Sequence, residues 1–417
     1  MDDAQRAVES VVRHSYGRLV AYLASRWRDV AAVEDALADA FVAALRAWPR
    51  DGLPQKPEAW LLAAARNRLI DRARHQRMRD AALQSAGEAV QEAERLSEQP
   101  VFPDERLKLL FVCAHPAIDP GIHTPLMLQT VLGLDAVTIA GAFLTLPATM
   151  GQRLTRAKRK IRDAGIAFEV PDGDQLAPRL GAVLQAIYAA YGSGWDDVSG
   201  ADPRRRGLAE EALWLARVLA GLLPDEPEAA GLLALILYCE ARRPARRAAD
   251  GGYVPISEQD TSLWSRTMME EAERTLATAA QQGRAGRFQL EAALQSAHVE
   301  RLRGGRVDWQ AIAVLYEGLV RLAPAVGAFV GRAAAVAEAY GPAAGLALLD
   351  DVPADAVKTY QPYWAVRGHL LQRLSRVRES CDAFDRAIGL TEDEAIRRFL
   401  WARRGGTRER GTRKHDD

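Results

Sequence analysis

The chain has 417 residues, which is too many for one ordinary hydrophobic core, so two or three domains are expected. Lysine and arginine together number 55, as do aspartate and glutamate, and the formal net charge is therefore zero. This balance does not exclude nucleic-acid binding, because basic residues cluster at 66–79 and 153–162 while the acids collect elsewhere.

Alanine and leucine dominate the chain, strand-like alternation is nearly absent, and glycine and proline separate segments of helical period. These features predict an all-α fold. The positions of these separating residues predict a first module at 8–79, a linker at 80–106, a second module at 107–168 and a helical extension at 176–404.

The three cysteines, Cys113, Cys239 and Cys381, are far apart, which argues against a disulfide framework and suits a reducing cytosol. Cys113 lies near His115 and His123, but a fourth ligand is missing, so neither a metal nor another cofactor is predicted. The N-terminus is acidic and polar, unlike a signal peptide, and no apolar run is long enough to span a membrane. A cytoplasmic protein without membrane contact is expected.

The segment at 31–48 predicts an amphipathic helix with two acids on its polar face. Its apolar face comprises Val33, Leu37, Ala40, Phe41, Ala44 and Trp48. Asp35 and Asp39 share the other face, where like charges four residues apart repel unless a basic partner offsets them. This acidic face is either a docking surface or an ordinary solvated face.

A loop with three prolines, at 49–57, is predicted to lead into a second helix. Its buried stripe is predicted to be Leu62, Ala65, Leu69 and Ala73. Its outward face is predicted to be Trp60, Asn67, Arg68, Asp71 and Arg74. An aromatic and an amide interleaved with arginines are typical of a single-strand-binding surface, although Trp60 could equally pack against the neighbouring helix.

Residues 126–162 predict a helix-turn-helix. The apolar face of its first helix is predicted to be Ala136, Val137, Ile139, Ala140 and Phe143. The second helix is expected to begin at Pro147, because proline is tolerated at the first position of a helix. Its buried stripe is predicted to be Met150, Leu154, Ala157 and Ile161.

The opposite face of this second helix is dense in positive charge. Gln152, Thr155, Arg156 and Arg159 point outward, with Arg153 and Lys158 on the flanks. Basic side chains neutralise phosphates, and an amide such as Gln152 can pair with a base edge. The pattern favours a DNA-reading helix over a solvated cationic helix packed on a bundle.

The extension carries a weak repeat. Trp364, Gly368, Leu371, Phe384 and Ala387 have the spacing of a tetratricopeptide motif. Tyr316 precedes Phe384 by 68 residues, twice the period of 34, and the repeat between them is degenerate. A tetratricopeptide-like array is predicted, with an irregular helical bundle as the alternative.

Three motifs, in this order, resemble the extracytoplasmic-function (group IV) sigma factors of the sigma-70 family. They are VEDALADAFVAALRAW at 33–48, P-x-A-W-L-x-x-x-A-R-N-x-x-I-D-x-x-R at 57–74, and ATMGQRLTRAKRKI at 148–161. The stretches at 180–195 and 212–246 resemble the C-terminal extension of the sigma subgroup commonly numbered forty-two. The resemblance therefore covers nearly the whole chain.

This resemblance implies a sigma factor that binds core RNA polymerase and promoter DNA and directs transcription initiation. Asp35, Asp39 and Phe41 would dock on the clamp helices of the β′ subunit, and the β subunit is a further expected contact. The implied minus-10 contacts are Arg50, Lys56, Trp60, Asn67, Arg68 and Arg74. The implied minus-35 contacts are Thr149, Gln152, Arg153, Thr155, Arg156 and Arg159. The extension would regulate the sigma modules, or bind a protein partner.

Three other classes of function are to be weighed against a sigma factor. A helix-turn-helix regulator with a ligand- or protein-sensing tail would share the second module, but it has no use for the acidic and arginine-bearing helices of the first. A helical scaffold would not account for the basic recognition helix. An enzyme is the weakest class, because the chain has no phosphate-binding loop, nucleophile elbow or histidine pair at metal spacing.

Overall fold

The computed structural model of the protein describes residues 3–79, 104–143, 145–196 and 207–412, so most of the predicted linker lies outside it. Within these ranges the chain forms helices and no β-strand, and the isolated bridge between Arg247 and Tyr253 is the β interaction found there. The prediction of an all-α fold is therefore confirmed. Of the helices in the described part of the chain, none is long and apolar enough to cross a membrane.

The chain divides into two compact units, Met1–Leu215 and Ala216–Asp417. Nine helices of the described residues begin in the first unit: α1 (Asp3–Trp27), α2 (Val30–Asp51), α3 (Pro57–Arg79), α4 (Arg106–Cys113), α5 (Pro120–Thr130), α6 (Ala136–Ala142), α7 (Pro147–Asp163), α8 (Leu176–Asp196) and α9 (Leu208–Leu222).

Helices α1, α2 and α3 form a three-helix bundle. Asp29 caps α2 by accepting a hydrogen bond from the backbone N–H of Ala32 at 3.0 Å. The predicted apolar face of α2 is buried except for Phe41, which is half-buried. On α3 the buried stripe is Leu61, Ala65 and Leu69, whereas Leu62 and Ala73, predicted to be buried, are half-buried.

The loop predicted at 49–57 is shorter than expected, because α2 continues through Pro49 to Asp51. Pro49 has no N–H group to donate to the carbonyl oxygen of Leu45, four residues earlier in the helix. Leu45 is exposed to water. Arg50 consequently lies on the last turn of the helix, where its Nε donates to the carbonyl oxygen of Arg46 at 3.0 Å.

Helices α4 to α7 form the second bundle, and within it α6 and α7, which the sequence analysis assigns to a helix-turn-helix, pack against each other. Pro147 is the first residue of α7, as predicted, and the stripe Met150, Leu154, Ala157 and Ile161 is buried. In α6, Ile139 and Ala140 are buried, but Val137 and Phe143 are 64% and 40% exposed. The prediction that these two residues face the core is wrong, because α6 has only seven residues and presents two of them to its neighbours.

Helix α8, the first helix of the extension, packs against α4 and α5. Leu180, Val183, Leu184, Ile187 and Tyr191 are buried on it. The segment from Leu180 to Tyr191 therefore packs against the second module.

The second unit is an array of helices in which neighbours along the chain pack against each other. After the end of α9 its helices are α10 (Pro227–Ala241), α11 (Arg266–Gln281), α12 (Arg287–Ser296), α13 (Trp309–Leu322), α14 (Val326–Tyr340), α15 (Pro342–Asp350), α16 (Ala354–Val357), α17 (Gln361–Arg373), α18 (Val377–Gly389) and α19 (Glu394–Thr412).

The predicted repeat residues lie in a helical hairpin of this unit. These residues lie on two helices, α17 and α18, which are separated where Ser375 adopts a φ of 60°. Gly368 of α17 faces the ring of Phe384 of α18, and a Cβ at this glycine would lie 3.0 Å from the ring. The hairpin therefore depends on a glycine where the two helices approach closely.

Candidate nucleic-acid interface

The acidic face of α2 is open to solvent. Asp35 and Asp39 are both exposed, and Arg72 of α3 donates to Asp35 Oδ2 at 3.2 Å, which supplies the basic partner expected for these acids. Because the side chains of this pair are 71% and 57% exposed, their attraction is weak. A basic group of a protein partner could replace Arg72 beside Asp35 with only a small loss of free energy.

The same face carries two apolar residues that sequence reasoning missed. Val42 and Leu45 are 46% and 44% exposed. They lie three residues apart on the helix beyond Asp39, so acidic and apolar groups are presented together. The sequence does contain a signal for these two residues, because both are large aliphatic side chains that lie outside the predicted apolar face of the helix. Charged groups next to exposed aliphatic groups are a suitable surface for docking a protein.

The predicted minus-10 residues are only partly brought together. Asn67, Arg68 and Arg74 are exposed along α3, and Lys56 is exposed just before that helix. Trp60 is half-buried, and its ring packs edge-on against Trp48 with 5.6 Å between centroids. The expectation that Trp60 faces outward is therefore wrong in part, since one edge of the ring belongs to the α2–α3 contact.

The outward face of α7 is arranged as the sequence predicts. Thr149 and Gln152 are exposed on its first turns, followed by Thr155, Arg156 and Arg159. The hydroxyl of Thr155 donates to the carbonyl oxygen of Gly151 at 2.9 Å, so this side chain is turned back towards its own helix. Gln152, Arg156 and Arg159 are left as the most prominent groups on this face.

Arg153 is held by the second bundle itself. Its guanidinium donates to the carbonyl oxygen of Gly121 at 3.1 Å and to Asp119 Oδ2 at 3.4 Å. Asp119 is also the N-cap of α5, because it accepts from the backbone N–H of Gly121. Arg153 therefore fixes α7 against the start of α5, and contact with DNA would require this side chain to leave its partners.

Lys158 does not contribute to the basic surface. It is buried, and its ammonium group pairs with Glu34 of α2. The expectation that Lys158 adds positive charge on a flank of the recognition helix is wrong, because the first bundle covers that flank.

The cysteine and histidines of the second bundle each have a structural partner. Cys113 is buried, which raises the pKa of its thiol to about 12, and its Sγ lies 3.5 Å from the hydroxyl of Thr130. A ring nitrogen of His123 lies 3.0 Å from the carbonyl oxygen of Ile118, and His115 Nδ1 accepts from the N–H of Ala117. Each of the three side chains therefore has a contact within the second bundle.

The chain matches known families in two regions. The sigma-70 region 2 family matches residues 11–79, the α1–α3 bundle. A family of unknown function (DUF6596) matches residues 179–280. An uncharacterized protein of Rhizobium meliloti (strain 1021) is 37% identical over 399 residues, which cover 94% of this chain and 93% of that protein. No solved structure matches the chain.

The chain therefore belongs to one family with the Rhizobium protein and, through its region 2 domain, to the sigma-70 family of sigma factors. This domain gives it a role in RNA polymerase binding and transcription initiation.

Reversing both acids of the α2 face should weaken binding to core RNA polymerase. We expect Asp35→Lys with Asp39→Lys to raise the Kd roughly tenfold or more at low salt, mainly through a slower on-rate, because charges at the edge of an interface act chiefly on association. Fluorescence anisotropy of the labelled protein titrated with core polymerase measures this change. Asp163→Lys, an exposed acid at the end of α7, is the matched control, and an unchanged Kd for the double variant would contradict the docking assignment.

Proposed function

We propose that this protein is an extracytoplasmic-function-type sigma factor. In this proposal α2 docks on the β′ clamp helices, α3 and the preceding loop open the minus-10 element, and α7 reads the minus-35 element. The helical extension, with its tetratricopeptide-like hairpin, regulates these modules.

The geometry of α7 is the observation that carries the proposal. One stripe of the helix is buried in the second bundle, and the opposite face presents an amide and two arginines to solvent. An exposed helix of this kind fits the major groove, where an amide reads a base edge and arginines contact phosphates or guanine. The region 2 match at 11–79 supports the assignment of the α1–α3 bundle as the other promoter-binding module.

The extension supports a regulatory role through its contact with the second bundle. α8 packs on α4 and α5, and Arg106 at the start of α4 forms an ion pair with Glu211 of α9. The beginning of the extension is thus built into the promoter-reading module. A change in the extension can therefore be transmitted to α7 through direct packing.

Reconstituted transcription tests the proposal. Purified protein, core RNA polymerase and a library of genomic promoter fragments should together give specific initiation that core polymerase alone does not. Binding to duplex DNA without core polymerase, and no initiation with it, would favour a helix-turn-helix regulator with a sensing tail.

Two substitutions on α7 should have different effects. Gln152→Ala is expected to cost about 1–3 kcal/mol on the preferred minus-35 sequence and little on others, because it removes base readout. Arg156→Ala should weaken all sequences alike and lower the salt dependence of binding, because it removes a phosphate contact. Both are measured by competition binding of the polymerase complex to promoter variants, with Asp163→Ala as the control. A Gln152→Ala protein with unchanged sequence preference would show that readout comes from elsewhere.

A further inference from the structure

The first unit contains a cavity of about 840 Å³. It is lined by α1, by single residues of α2, α4 and α5, by the turn after α5 and by the start of α9. None of the residues predicted to contact polymerase or DNA lines it. Cavities that hold small organic ligands have volumes of roughly 300–1,000 Å³, so this cavity is large enough for one.

Two glycines fix the wall of the cavity. Gly17 of α1 faces the turn after α5, and a Cβ at Gly17 would lie 1.7 Å from the carbonyl oxygen of Val131. Gly133, with a φ of +69°, lies beside the ring of Tyr16. The backbones approach this closely because glycine has no side chain. Val12 and Gly133 line the cavity and are exposed, so a small solute can reach it from solvent.

Part of the lining is apolar. Val8, Val131, Leu134 and Leu208 are buried residues of the lining, and Val12 is an exposed one. A hydrocarbon segment that lies against these side chains is removed from water, which favours binding. The apolar residues by themselves do not select a charge.

The charged part of the lining is mostly acidic. Its acids are Glu9, Glu34, Asp135 and Glu211. Among the described residues of the lining the basic one is Arg106, and this guanidinium is engaged by Glu211 and by Asp104 Oδ2 at 2.6 Å. Asp135 is engaged as the N-cap of α6. After this internal pairing, Glu9 and Glu34 are the carboxylates that a ligand can meet.

Two residues of the lining carry buried acceptor oxygens that are not satisfied. Glu34 Oε2 pairs with Lys158, but within the described part of the chain Glu34 Oε1 has no hydrogen-bond partner, and neither has Gln129 Oε1. Burial raises the pKa of Glu34, and Lys158 opposes this rise only in part. A buried acceptor without a donor is destabilising, so a ligand that donates hydrogen bonds would remove this cost.

Glu9 is a third acceptor of the lining. It is half-buried on α1, and Gln5 Nε2 donates to its Oε1 at 3.4 Å, which is long for a hydrogen bond. A carboxylate has about four acceptor positions, so Glu9 keeps capacity for a second donor.

We propose that this cavity binds a small organic cation, an aliphatic amine whose ammonium groups donate to Glu9, Glu34 and Gln129. An ammonium group has three donors and no acceptor, which matches a lining that offers acceptors. The hydrocarbon chain lies against the valines and leucines of the lining. Two carboxylates that are not fully paired favour a diamine over a monoamine. This site goes beyond the proposed function and does not depend on it, because no promoter-reading residue takes part.

Calorimetric titration of the full chain tests the site with three probes that share an eight-carbon chain. Diaminooctane ends in ammonium groups, octanediol in hydroxyl groups and suberate in carboxylates. We expect saturable binding of diaminooctane with a Kd roughly tenfold or more below that of octanediol, because hydrogen bonds to charged groups are the stronger ones. Suberate should not bind, because its charges repel those of the lining.

Three substitutions in the lining should weaken the binding of diaminooctane. Glu9→Gln removes a charge, and Gln129→Met removes an acceptor while it keeps the length of the side chain; we expect each to raise the Kd roughly fivefold or more. Val12→Phe narrows the cavity where it meets solvent and should raise the Kd roughly tenfold or more. A merely structural role of Gln129 would leave the Kd unchanged in Gln129→Met.

The matched controls lie outside the cavity. Asp174→Asn neutralises an exposed acid, and Val42→Phe enlarges a valine that is 46% exposed, close to the 42% of Val12. Both should leave the Kd for diaminooctane unchanged. Circular dichroism confirms that each variant is folded.

Hydrogen exchange locates the bound amine. Peptides covering 8–17 and 129–135 should exchange more slowly with diaminooctane present, and those covering 57–74 should not change. No saturable binding, equal Kd values for diaminooctane and octanediol, or the same Kd in the lining variants as in the controls would each overturn the site. Failure of promoter-specific initiation would overturn the proposed function and leave the site standing.

Discussion

A chain that ends after Val170 is expected to lose promoter-directed transcription, because its second module no longer folds stably. Helix α8 buries several large apolar residues against α4 and α5. Each buried apolar side chain contributes about 1.5–3 kcal/mol, so five of them together approach the entire stability of a typical domain. The truncation would also expose the apolar surfaces of α4 and α5 to water.

The measurement combines run-off transcription with hydrogen exchange of the peptides that cover α4 and α5. A chain that ends after Leu222 is the matched control, because it keeps α8 and α9 and removes only the helices from α10 onward. We expect α4 and α5 to be protected in the control and to exchange rapidly in the shorter chain. A well-folded protein ending at Val170 with full activity would show that the extension is a separable module.

Replacing Arg106 by methionine should loosen the join between the second module and the extension. The Arg106 side chain is only 8% exposed and donates to Asp104 Oδ2 at 2.6 Å. It also pairs with Glu211, and its guanidinium lies 4.2 Å from the centroid of the Trp214 ring. Methionine would leave two carboxylates without their cation, at a cost of about 3–5 kcal/mol.

Hydrogen exchange is again the suitable readout, because a chain with two compact units need not unfold in one step. Peptides covering 106–113 and 207–215 should lose protection together in Arg106→Met. Lys108→Ala removes a more exposed ion pair with Glu105 and should cost only about 0–1 kcal/mol. Equal protection in the two variants would contradict a central role for Arg106. Arg106→Lys should rescue only part of the loss, because lysine keeps the charge but not the planar fork.

Much of the fold could be predicted from the sequence, because helical periodicity is a local property. The residue order alone predicted the buried stripe of α7 from Met150 to Ile161, the proline that begins this helix, and the exposed acids of α2. The motifs at 33–48 and 57–74 also carried the resemblance to sigma factors, and the region 2 match at 11–79 includes both motifs.

The errors at single residues have a common origin. Val137 and Phe143 belong to an apolar pattern on a short helix, yet the seven residues of α6 bury only Ile139 and Ala140. Trp60 lies on the polar side of its helix by spacing, yet its ring reaches Trp48 of a neighbouring helix. Periodicity orders residues around a helix axis, but it does not state which side of that axis another helix will cover.

By itself, then, the sequence determined the helices, their apolar and basic faces, and the class of protein, because these depend on residues within a few turns of each other. Only the tertiary structure decided that Lys158 pairs with Glu34, a residue 124 positions away, and so does not belong to the basic face. It also decided that Gly17 lies against the backbone of Val131. The physical reason is that a buried charge or a close backbone contact is defined by both partners. No local pattern around either partner specifies the other.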